Sequence, residues 1–467
     1  MKMWSGRFRQ PLDPAFERWQ RSFPFDQILL PFELDASRAH ARALEHAGIL
    51  SSEELAEIVR GLEQIGEKAH ADESFLKDDE AEDVHHFVEK QLVAIIGDTG
   101  YKLHSGRSRN EQIATDLRLY VRNAIDQTQS LLADWMQAIL TSAEKARDAA
   151  MPAYTHLQRA EPVVVAHWLL AYVEMFLRDV DRLADCRMRL NVCPLGSGAV
   201  AGATVKLDRA AIAADLGFDA LTANSLDATS DRDFVLEFVQ ALSQLSVHLS
   251  RWAEEMILFS TQEYGFVALP ESYSTGSSAM PQKKNPDLLE LVRGKAGRIV
   301  GAATSLLMTV KGLPLAYNKD MQETQEPLFD ATQTILSILP LVTGWMKEVE
   351  FDYARMNQAA QSGFMNAWAA ATYLVDRGVP SRLAHEAVGK AVKLCVERGC
   401  ELQDLSPPDL QQIHSAFGSD FPKCLTLDAV LSIHHVEGGT ARPSVKQAIQ
   451  RAEQRIALLR GNVHAHA

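Results

Sequence analysis

The sequence predicts a mainly α-helical (all-α) protein of three domains, with a central bundle of five long helices. Between residues 107 and 350, apolar residues recur at alternating steps of three and four, which is typical of long helices packed at shallow angles. Strands are indicated at most within residues 193–228, where the pattern is too short to assign one or two of them. An apolar content of 46% and a length of 467 residues suit a globular chain with a large core.

The first predicted domain covers residues 1–106 and consists of helices of modest length. Residues 32–47 follow a helical pattern, and Gly48 is expected to end it. The next helix is expected to begin at Ser51 or Ser52, because serine caps helix N-termini and Glu53 and Glu54 follow in the first turn.

The central domain, residues 107–355, contains the long helices. They are predicted over residues 107–148, 162–192, 229–262, 287–312 and 326–348. Pro340 is expected to kink the fifth helix or to limit its length. The third helix also carries apolar residues outside its main seam, such as Phe234 and Val239. Such second faces predict an oligomer with helix bundles at its interface, and the alternative is a monomer whose end domains cover them.

The third predicted domain covers residues 356–467. Helices are predicted over residues 356–375 and 381–398, and a turn at residues 438–440 is expected to precede a C-terminal helix that ends at Leu459.

Composition and charge exclude several classes of function. The formal net charge of −14 argues against a nucleic-acid-binding protein, which needs a basic face. The five cysteines form no CxxC pair, so they are expected to be the reduced thiols of a cytosolic protein. The N-terminus lacks the apolar segment of a signal peptide, and no apolar run approaches the roughly 20 residues of a membrane span. We therefore expect a cytoplasmic protein without membrane or nucleic-acid partners.

No cofactor and no metal site is predicted. His85 and His86 are adjacent, so they point to different faces of a helix and lack the i, i+4 spacing of a zinc pair. The acidic residues 80–83 before them are also explained as a solvated helix start. The Gly196-Ser197-Gly198 segment lacks the strand–turn–helix surroundings of a dinucleotide-binding loop.

Three polar clusters interrupt the helices, and each is expected at a helix end. Residues 104–110 place two arginines and an amide at a helix N-terminus, which suits carboxylate binding, although a charged cap has the same composition. Residues 154–159 contain His156 and lie between Pro152 and Pro162, and the alternative for this histidine is an ordinary core position. Residues 275–286 form a loop of small residues and lysines that leads into the positive end of a helix, which suits anions; a mobile surface loop is the alternative.

The residues of these clusters resemble a known family. Residues 276–286, Gly-Ser-Ser-Ala-Met-Pro-Gln-Lys-Lys-Asn-Pro, are similar to the signature of the fumarase/aspartase superfamily, and the Gln-Lys-Lys form resembles its argininosuccinate lyase branch. Further matches lie at residues 4–8, 103–110, 154–159, 230–233 and 312–323. The resemblance runs from residue 4 to at least residue 330, and it implies the three-domain fold of that superfamily.

The resemblance implies a carbon–nitrogen lyase that splits argininosuccinate reversibly into arginine and fumarate, the last step of arginine biosynthesis. A proton leaves the carbon beside a carboxylate, and the resulting carbanion needs positive charge and N–H donors. The implied stabilisers are Lys283 and Asn285. Ser277 is the implied base, and His156, oriented by Glu290, exchanges the proton with the leaving nitrogen. The reverse assignment, with histidine as base and serine as acid, is equally open.

The implied substrate contacts are scattered along the chain. For the carboxylates and the amino group they are Ser22, Ser108, Arg109, Asn110, Thr155, Tyr317 and Gln322, and for the arginine end Asp83 and His85. In this superfamily each site combines residues from three subunits of a homotetramer, which accounts for the scatter.

One substrate-binding position departs from the family pattern. Gln325 stands where members usually carry a lysine, so a donor is kept and a charge is lost. Two alternatives stay open for this position: the chain binds a substrate carboxylate more weakly, or Lys319 or Lys284 compensates for the lost charge.

There are two rival hypotheses for the function. One is another fumarate-releasing lyase of the superfamily with an altered substrate, and the other is a non-catalytic structural protein like the lens crystallins.

Overall fold

The computed structural model describes residues 10–466, with side chains described through residue 461. The resemblance at residues 4–8 lies outside the described residues.

The chain is built mainly from helices. Those of the first 165 residues are α1 (Pro14–Trp19), α2 (Phe23–Asp26), α3 (Leu30–His46), α4 (Ser52–Ala71), α5 (Val84–Ile96) and α6 (Arg109–Ala146). The next are α7 (Val165–Leu190), α8 (Arg209–Asp215), α9 (Ser225–Ser230), α10 (Asp233–Ser260), α11 (Asp287–Val310) and α12 (Gln325–Glu348). The last are α13 (Tyr353–Ala359), α14 (Ala367–Val375), α15 (Ser381–Arg398), α16 (Pro407–Ile413), α17 (Phe421–Cys424), α18 (Leu427–Ser432) and α19 (Arg442–His466).

The strands of the described chain are short and pair two by two. They are β1 (Ala150–Thr155), β2 (Gln158–Val164), β3 (Val192–Cys193), β4 (Ala220–Leu221), β5 (Val267–Ala268), β6 (Thr275–Gly276), β7 (Lys284–Asn285) and β8 (Glu350–Phe351). The pairs β1–β2, β5–β8 and β6–β7 are antiparallel, and β3–β4 is parallel. None of the described helices is long and apolar enough to cross a membrane.

The prediction of a mainly helical fold with five long helices is confirmed. The five are α6, α7, α10, α11 and α12, and each begins and ends within a few residues of its predicted bounds. The predicted serine cap is present, and it is Ser51: its side chain accepts from the Glu54 amide, and the Glu54 carboxylate accepts from the Ser51 amide. Pro340 lies inside α12, which continues to Glu348, so this proline does not end the helix.

Four local predictions are wrong. Strands also lie outside residues 193–228, at β1, β2 and β5 to β8, and the C-terminal helix α19 continues to His466 instead of ending at Leu459. The segment from residue 356 to 375 is two helices, α13 and α14, because Gly363 and Phe364 take positive φ angles of 84° and 60° and break the helical path. The cluster around His156 was expected at a helix end, but it lies at the tip of the β1–β2 hairpin, and α7 begins only at Val165.

The chain divides into two compact units. Unit 1 consists of Met1–Gln127, Arg182–Ser243 and Arg298–Thr334, and unit 2 of Thr128–Asp181, Gln244–Gly297 and Ile335–Ala467. In unit 1, small residues of α3 pack on Cys193, Leu195 and Ile212. In unit 2, Trp252 lies between Trp135 and Trp345, with ring centroids 4.8 and 5.2 Å away. The predicted domain boundaries after residues 106 and 355 stay a prediction.

Candidate active site

The polar loop of residues 277–283 is closed at its base by a short ladder. β6 pairs with β7, so that Thr275 lies opposite Asn285 and Gly276 opposite Lys284. Thr275 also donates to Asp287 Oδ2 from its amide, at 3.1 Å, and from its hydroxyl, at 2.7 Å. Because Asp287 is the first residue of α11, these bonds fix the loop to the N-terminal end of that helix, as the sequence predicts.

Within this loop, Ser277 receives hydrogen bonds that its neighbour does not. The Ser277 Oγ accepts from the amides of Ala279, at 3.3 Å, and Met280, at 3.1 Å. Two N–H donors aimed at one hydroxyl oxygen favour its negatively charged form. For the exposed Ser278, no such bond is found among the described residues. Of the two serines, Ser277 is the one whose hydroxyl oxygen has amide donors in the described chain, and its role as the proton acceptor stays a prediction.

The other expected catalytic residues of the loop lie at its far end. Asn285 Nδ2 donates to Thr275 Oγ1 at 3.4 Å. The hydrogen bonds from Thr275 lower the pKa of Asp287, and the charge of the exposed Lys283 adds to this effect. Glu290 is exposed in the first turns of α11. Within the described chain, Glu290 forms no ion pair with His156.

His156 occupies a strained turn. Thr155 pairs with Gln158, so His156 and Leu157 are the two central residues of a two-residue hairpin loop. Both have positive φ, 56° and 58°, a conformation that normally selects Asn-Gly and costs other residues on the order of 1–3 kcal/mol. Thr155 and His156 are both exposed. A strained turn that presents a histidine to the outside is typical of a functional position.

In unit 1, Arg109 and Asp83 are brought together. Arg109 is the first residue of α6, and its Nη1 donates to Asp83 Oδ1. Asp83 also caps α5 by accepting from the His86 amide at 2.7 Å. Burial would raise the pKa of Asp83, but the Arg109 charge and the His85 imidazole outweigh it and hold that pKa well below its usual value.

Ser108 directly precedes α6, and Arg109 and Asn110 are the first two residues of this helix. The Ser108 amide donates to Glu111 Oε1 at 3.0 Å, and Ser108 Oγ accepts from the Asn110 amide at 3.3 Å. The other carboxylate oxygen of Glu111 accepts from the Gly198 amide at 2.8 Å. These bonds fix the backbone of the predicted carboxylate-binding segment.

Ser22 and His85 are buried rather than open to solvent. Ser22 is 5% exposed, and its hydroxyl donates to Asp26 Oδ2 at 2.6 Å. Burial, together with the Asp83 charge, raises the pKa of Asp26 to about 7. His85 is 3% exposed, and its Nε2 lies 2.8 Å from Asp116 Oδ2.

Three expected substrate contacts follow α11, and one of them is Gln325, which stands where the family usually carries a lysine. Gln322 Nε2 donates to the Gln20 carbonyl at 3.1 Å. Burial raises the pKa of Tyr317, while the Arg232 charge acts in the opposite direction. Gln325 begins α12 with 3% exposure, and its Oε1 has no hydrogen-bond partner among the described residues.

The two suggested substitutes for the missing lysine already have partners. Lys319 Nζ lies 3.5 Å from Glu82 Oε1, and Lys284 Nζ donates to the Leu269 carbonyl at 3.2 Å.

The expected site residues divide between the two units. Unit 1 holds Ser22, Asp83, His85, Ser108, Arg109, Asn110, Tyr317, Gln322 and Gln325. Unit 2 holds Thr155, His156, Ser277, Lys283, Asn285 and Glu290. All the residues expected to perform proton transfer and charge stabilisation are thus in unit 2, and all but one of those expected to bind substrate are in unit 1.

Two buried acids beside His85 were missed by sequence reasoning. Glu33 is 1% exposed and accepts from Ser37 Oγ at 2.6 Å and from Gln112 Nε2 at 3.1 Å. Asp116 is fully buried on α6. The sequence of α3 does indicate buried polar residues. Glu33, Ser37 and His40 follow the i, i+4, i+7 spacing of one helix face, and this face is otherwise apolar.

Glu33, His85 and Asp116 also place potential metal-ligand atoms within 4.8 Å of one another. Arg107 approaches the same Glu33 carboxylate to 3.8 Å, so a positive charge is already present there.

The two sets of residues suit an elimination beside a carboxylate. Unit 2 presents a hydroxyl held by amide donors, a histidine and a lysine, which are the groups needed to move a proton and to stabilise a carbanion. Unit 1 presents an arginine at a helix N-terminus, which suits a substrate carboxylate.

Comparisons with known proteins identify the family. The chain matches the lyase family over residues 6–301 and the argininosuccinate lyase C-terminal family over residues 364–432. It is 59% identical over 456 residues to the argininosuccinate lyase of Koribacter versatilis, with 98% of each chain covered. It is 58% identical over 460 residues to that of Acidobacterium capsulatum, with 97% of this chain and 95% of the relative covered.

Solved structures agree on the fold. A variant of EDDS lyase with bound fumarate gives a TM-score of 0.85 at 28% identity, covering 98% of this chain and 93% of its own. A 3-carboxy-cis,cis-muconate lactonizing enzyme from Pseudomonas putida, 22% identical, shares the fold with a TM-score of 0.73 over 95% of this chain and 100% of its own. With the motifs, the long-helix fold and the full-length relatives all in agreement, the chain belongs to the argininosuccinate lyase family of carbon–nitrogen lyases, within the fumarase/aspartase superfamily.

Proposed function

We propose that this chain catalyses the reversible elimination of argininosuccinate to arginine and fumarate with Ser277 as the base. The observation that carries this assignment is the pair of amide N–H groups that donate to Ser277 Oγ. A serine is a weak base in water, and it becomes competent only where donors stabilise its alkoxide and a closing loop excludes solvent. The relatives named argininosuccinate lyase, at 59% and 58% identity, support this substrate.

In the proposed first step, Ser277 Oγ takes a proton from the carbon next to a substrate carboxylate. The electron pair of that C–H bond moves into the carboxylate, which becomes doubly charged. Lys283 supplies positive charge and Asn285 supplies N–H donors to this group. Both residues lie at the end of the loop that Ser277 begins, so one segment would provide the base and the stabilising charge.

In the second step, the adjacent carbon–nitrogen bond breaks, fumarate forms and the leaving guanidino nitrogen gains a proton. We assign the proton transfer to His156, which the strained hairpin tip holds outward. Glu290 would orient the imidazole, and since it does not pair with His156 within the described chain, this contact would come from another copy. The reversed assignment, with His156 as base and Ser277 as acid, uses the same groups.

Substrate binding is assigned to unit 1, together with Thr155. Arg109 and Asn110, at the N-terminus of α6, would hold a carboxylate, and Tyr317 and Gln322 would hold polar groups of the same molecule. Asp83 carries a negative charge beside Arg109 and, with His85, is assigned to the arginine end.

The active unit is proposed to be a cytoplasmic homotetramer with shared sites. One face of α11 is buried through residues such as Leu289 and Ile299, whereas Leu291 and Met308 on the same helix are 60% and 57% exposed. Three glycines of α11, at positions 294, 297 and 301, have no atom of the described chain within 4 Å of where a Cβ would stand. An apolar helix face that lacks side chains at several positions suits close packing of another helix against it.

Gln325 is expected to limit substrate affinity. Replacing Gln325 with lysine should lower the KM for argininosuccinate about tenfold, with kcat changed less than about threefold, because a charge-assisted hydrogen bond to a carboxylate is roughly twice as strong as a neutral one. Steady-state kinetics would measure this. The matched control is Gln333→Lys, which adds the same charge to an exposed position of α12 and should leave KM unchanged. An unchanged KM in Gln325→Lys with intact folding would show that this position does not contact the carboxylate.

The function is tested by following fumarate absorbance with purified protein. Argininosuccinate should yield fumarate and arginine in equal amounts, and fumarate with arginine should yield argininosuccinate. The EDDS lyase likeness, with its bound fumarate, makes a second fumarate-releasing lyase the alternative to include. Turnover of aspartate, adenylosuccinate or EDDS without turnover of argininosuccinate would contradict the proposal.

A further inference from the structure

Two cysteines lie together at the C-terminal end of α15. Gly399, which ends this helix, has φ 65° and ψ 36°, the left-handed conformation that glycine adopts without steric cost. The Cys400 amide donates to the Cys395 carbonyl at 3.1 Å. The Gly399 amide donates to the Val396 carbonyl at 3.4 Å. These two bonds define the Schellman motif, which brings the side chains of its first and last residues into contact, and here both of those side chains are thiols.

The backbone bond between the two cysteines limits their separation. With standard bond lengths and the 3.1 Å hydrogen bond, the Cα atoms of Cys395 and Cys400 are at most about 7 Å apart. Two cysteines farther apart than about 7 Å cannot form a disulfide without movement of the backbone. The pair therefore meets the distance condition for a disulfide while the fold is intact.

The two thiols differ in exposure. Cys395 is fully buried, whereas Cys400 is half-buried and packs against the apolar cluster that contains Cys395. The thiols also interact directly: burial raises the pKa of Cys395 to about 12, and a hydrogen bond with the Cys400 thiol adds to this effect. A reagent from solution therefore reaches Cys400 first, and Cys395 lies beside any adduct that forms there.

The other three cysteines are placed differently. Cys186 and Cys193 are fully buried. Cys424 is half-buried and packs against the same apolar cluster as Cys400, but its Sγ donates to the Phe421 carbonyl at 3.0 Å. Cys424 is thus a thiol of similar exposure that the Schellman motif does not bring to a second cysteine.

We propose that Cys395 is the resolving thiol of Cys400, so that oxidation by a low-molecular-weight disulfide gives an intramolecular Cys395–Cys400 disulfide. The Cys400 thiolate attacks one sulfur of the reagent, forms a mixed disulfide and releases a first thiol. The Cys395 thiolate then attacks Cys400 Sγ and releases a second thiol. The two protein thiols lose two electrons, the reagent gains two, and the two protons pass through water to the released thiols.

The consequence of this pairing is that oxidation at the end of α15 is reversible. A thiol without a resolving partner can be oxidised further to sulfinic and sulfonic acids, whereas a disulfide is returned to two thiols by a reductant. Because the raised pKa of Cys395 leaves little of its thiolate near neutral pH, the resolving step is the slower of the two. The linked form should therefore appear over minutes to hours.

The test uses the whole reduced protein with hydroxyethyl disulfide at about pH 8. This reagent is neutral, so the Glu401 and Asp404 charges near the thiols do not repel it. After acid quenching and alkylation of the remaining thiols, trypsin cuts the denatured chain after Arg398, between the two cysteines. Mass spectrometry should find the Cys395 and Cys400 peptides joined in at least about half of the chains, and separate after reduction.

Two single variants distinguish the two steps. In Cys395→Ser, Cys400 has no resolving thiol, so its mixed disulfide with the reagent should accumulate at least about fivefold above the level in the unaltered chain. The matched control is Cys424→Ser, which removes a half-buried thiol of the same cluster and should leave the yield of joined peptides within about twofold.

The unaltered chain alone decides between the possible products, so the test does not depend on the folding of a variant. A mixed disulfide that persists on Cys400 would overturn the proposal, and so would a disulfide between Cys400 and Cys424. Unreacted thiols in both the unaltered chain and Cys395→Ser would also overturn it, because Cys400 would then be closed to the reagent. None of these readouts involves a substrate, so the result is independent of the proposed function.

Discussion

Replacing Ser277 with alanine is expected to lower kcat by about 10³-fold or more, which corresponds to a loss of at least about 4 kcal/mol of transition-state stabilisation. The hydroxyl removed is the one that accepts from the amides of Ala279 and Met280, and no other group of the loop replaces it in the proposed step. Fumarate formation at saturating argininosuccinate measures the effect. Circular dichroism and sedimentation should be unchanged, since Ser277 lies in a loop outside the helical core.

The neighbouring serine provides the control for this prediction. Ser278→Ala removes the same group one position later, from an exposed side chain, and should keep kcat within about threefold of the unaltered chain. Near-normal turnover in Ser277→Ala would remove this serine from the mechanism. Equal losses in the two variants would mean that the loop conformation, and not one hydroxyl, is required.

Two inactive variants are expected to regain activity when they share one assembly. Ser277→Ala alters unit 2 and Arg109→Gln alters unit 1, and each alone should be at least about 100-fold less active. If Ser277 and Arg109 of one site come from different copies, random mixing leaves about a quarter of the sites with both segments intact. Activity after joint refolding should therefore return to on the order of a tenth or more of the unaltered value.

Two controls accompany the mixing experiment. Each variant refolded alone, and the two mixed without unfolding, should stay inactive. Native mass spectrometry would show whether mixed assemblies form. Mixed tetramers without recovered activity would mean that Ser277 and Arg109 of one site come from the same copy.

The long helices could be predicted because their signal is repeated many times. The apolar seam of α10 continues over the whole helix, and its side chains, such as Trp252 and Met256, are fully buried. The hairpin before α7 could not be predicted in the same way. Its turn holds His156 and Leu157 at positive φ, a conformation that turn residues such as Asn-Gly usually indicate. Because neither residue is of that type, the sequence does not indicate this turn.

The candidate site was only partly readable from the sequence. In the loop from Thr275 to Pro286 the expected catalytic residues lie close together in sequence, so the motif was enough to predict Ser277. Glu33 and Asp116 are far apart in sequence and sit on helices with strong patterns of their own, and only the packing of α3, α5 and α6 brings them to His85. The remaining site residues are distributed over two units. In the proposed shared site they are completed by other copies, so one chain contains no complete site to predict.

The most direct test of shared sites is a crystal structure of the Ser277→Ala variant with argininosuccinate bound. We predict one ligand per site enclosed by residues of more than one copy, with Arg109 and Asn110 on a carboxylate and His156 near the guanidino nitrogen. The same structure would show whether Gln325 touches the ligand. A ligand whose contacts to Arg109, His156 and the loop all come from a single chain would contradict the account.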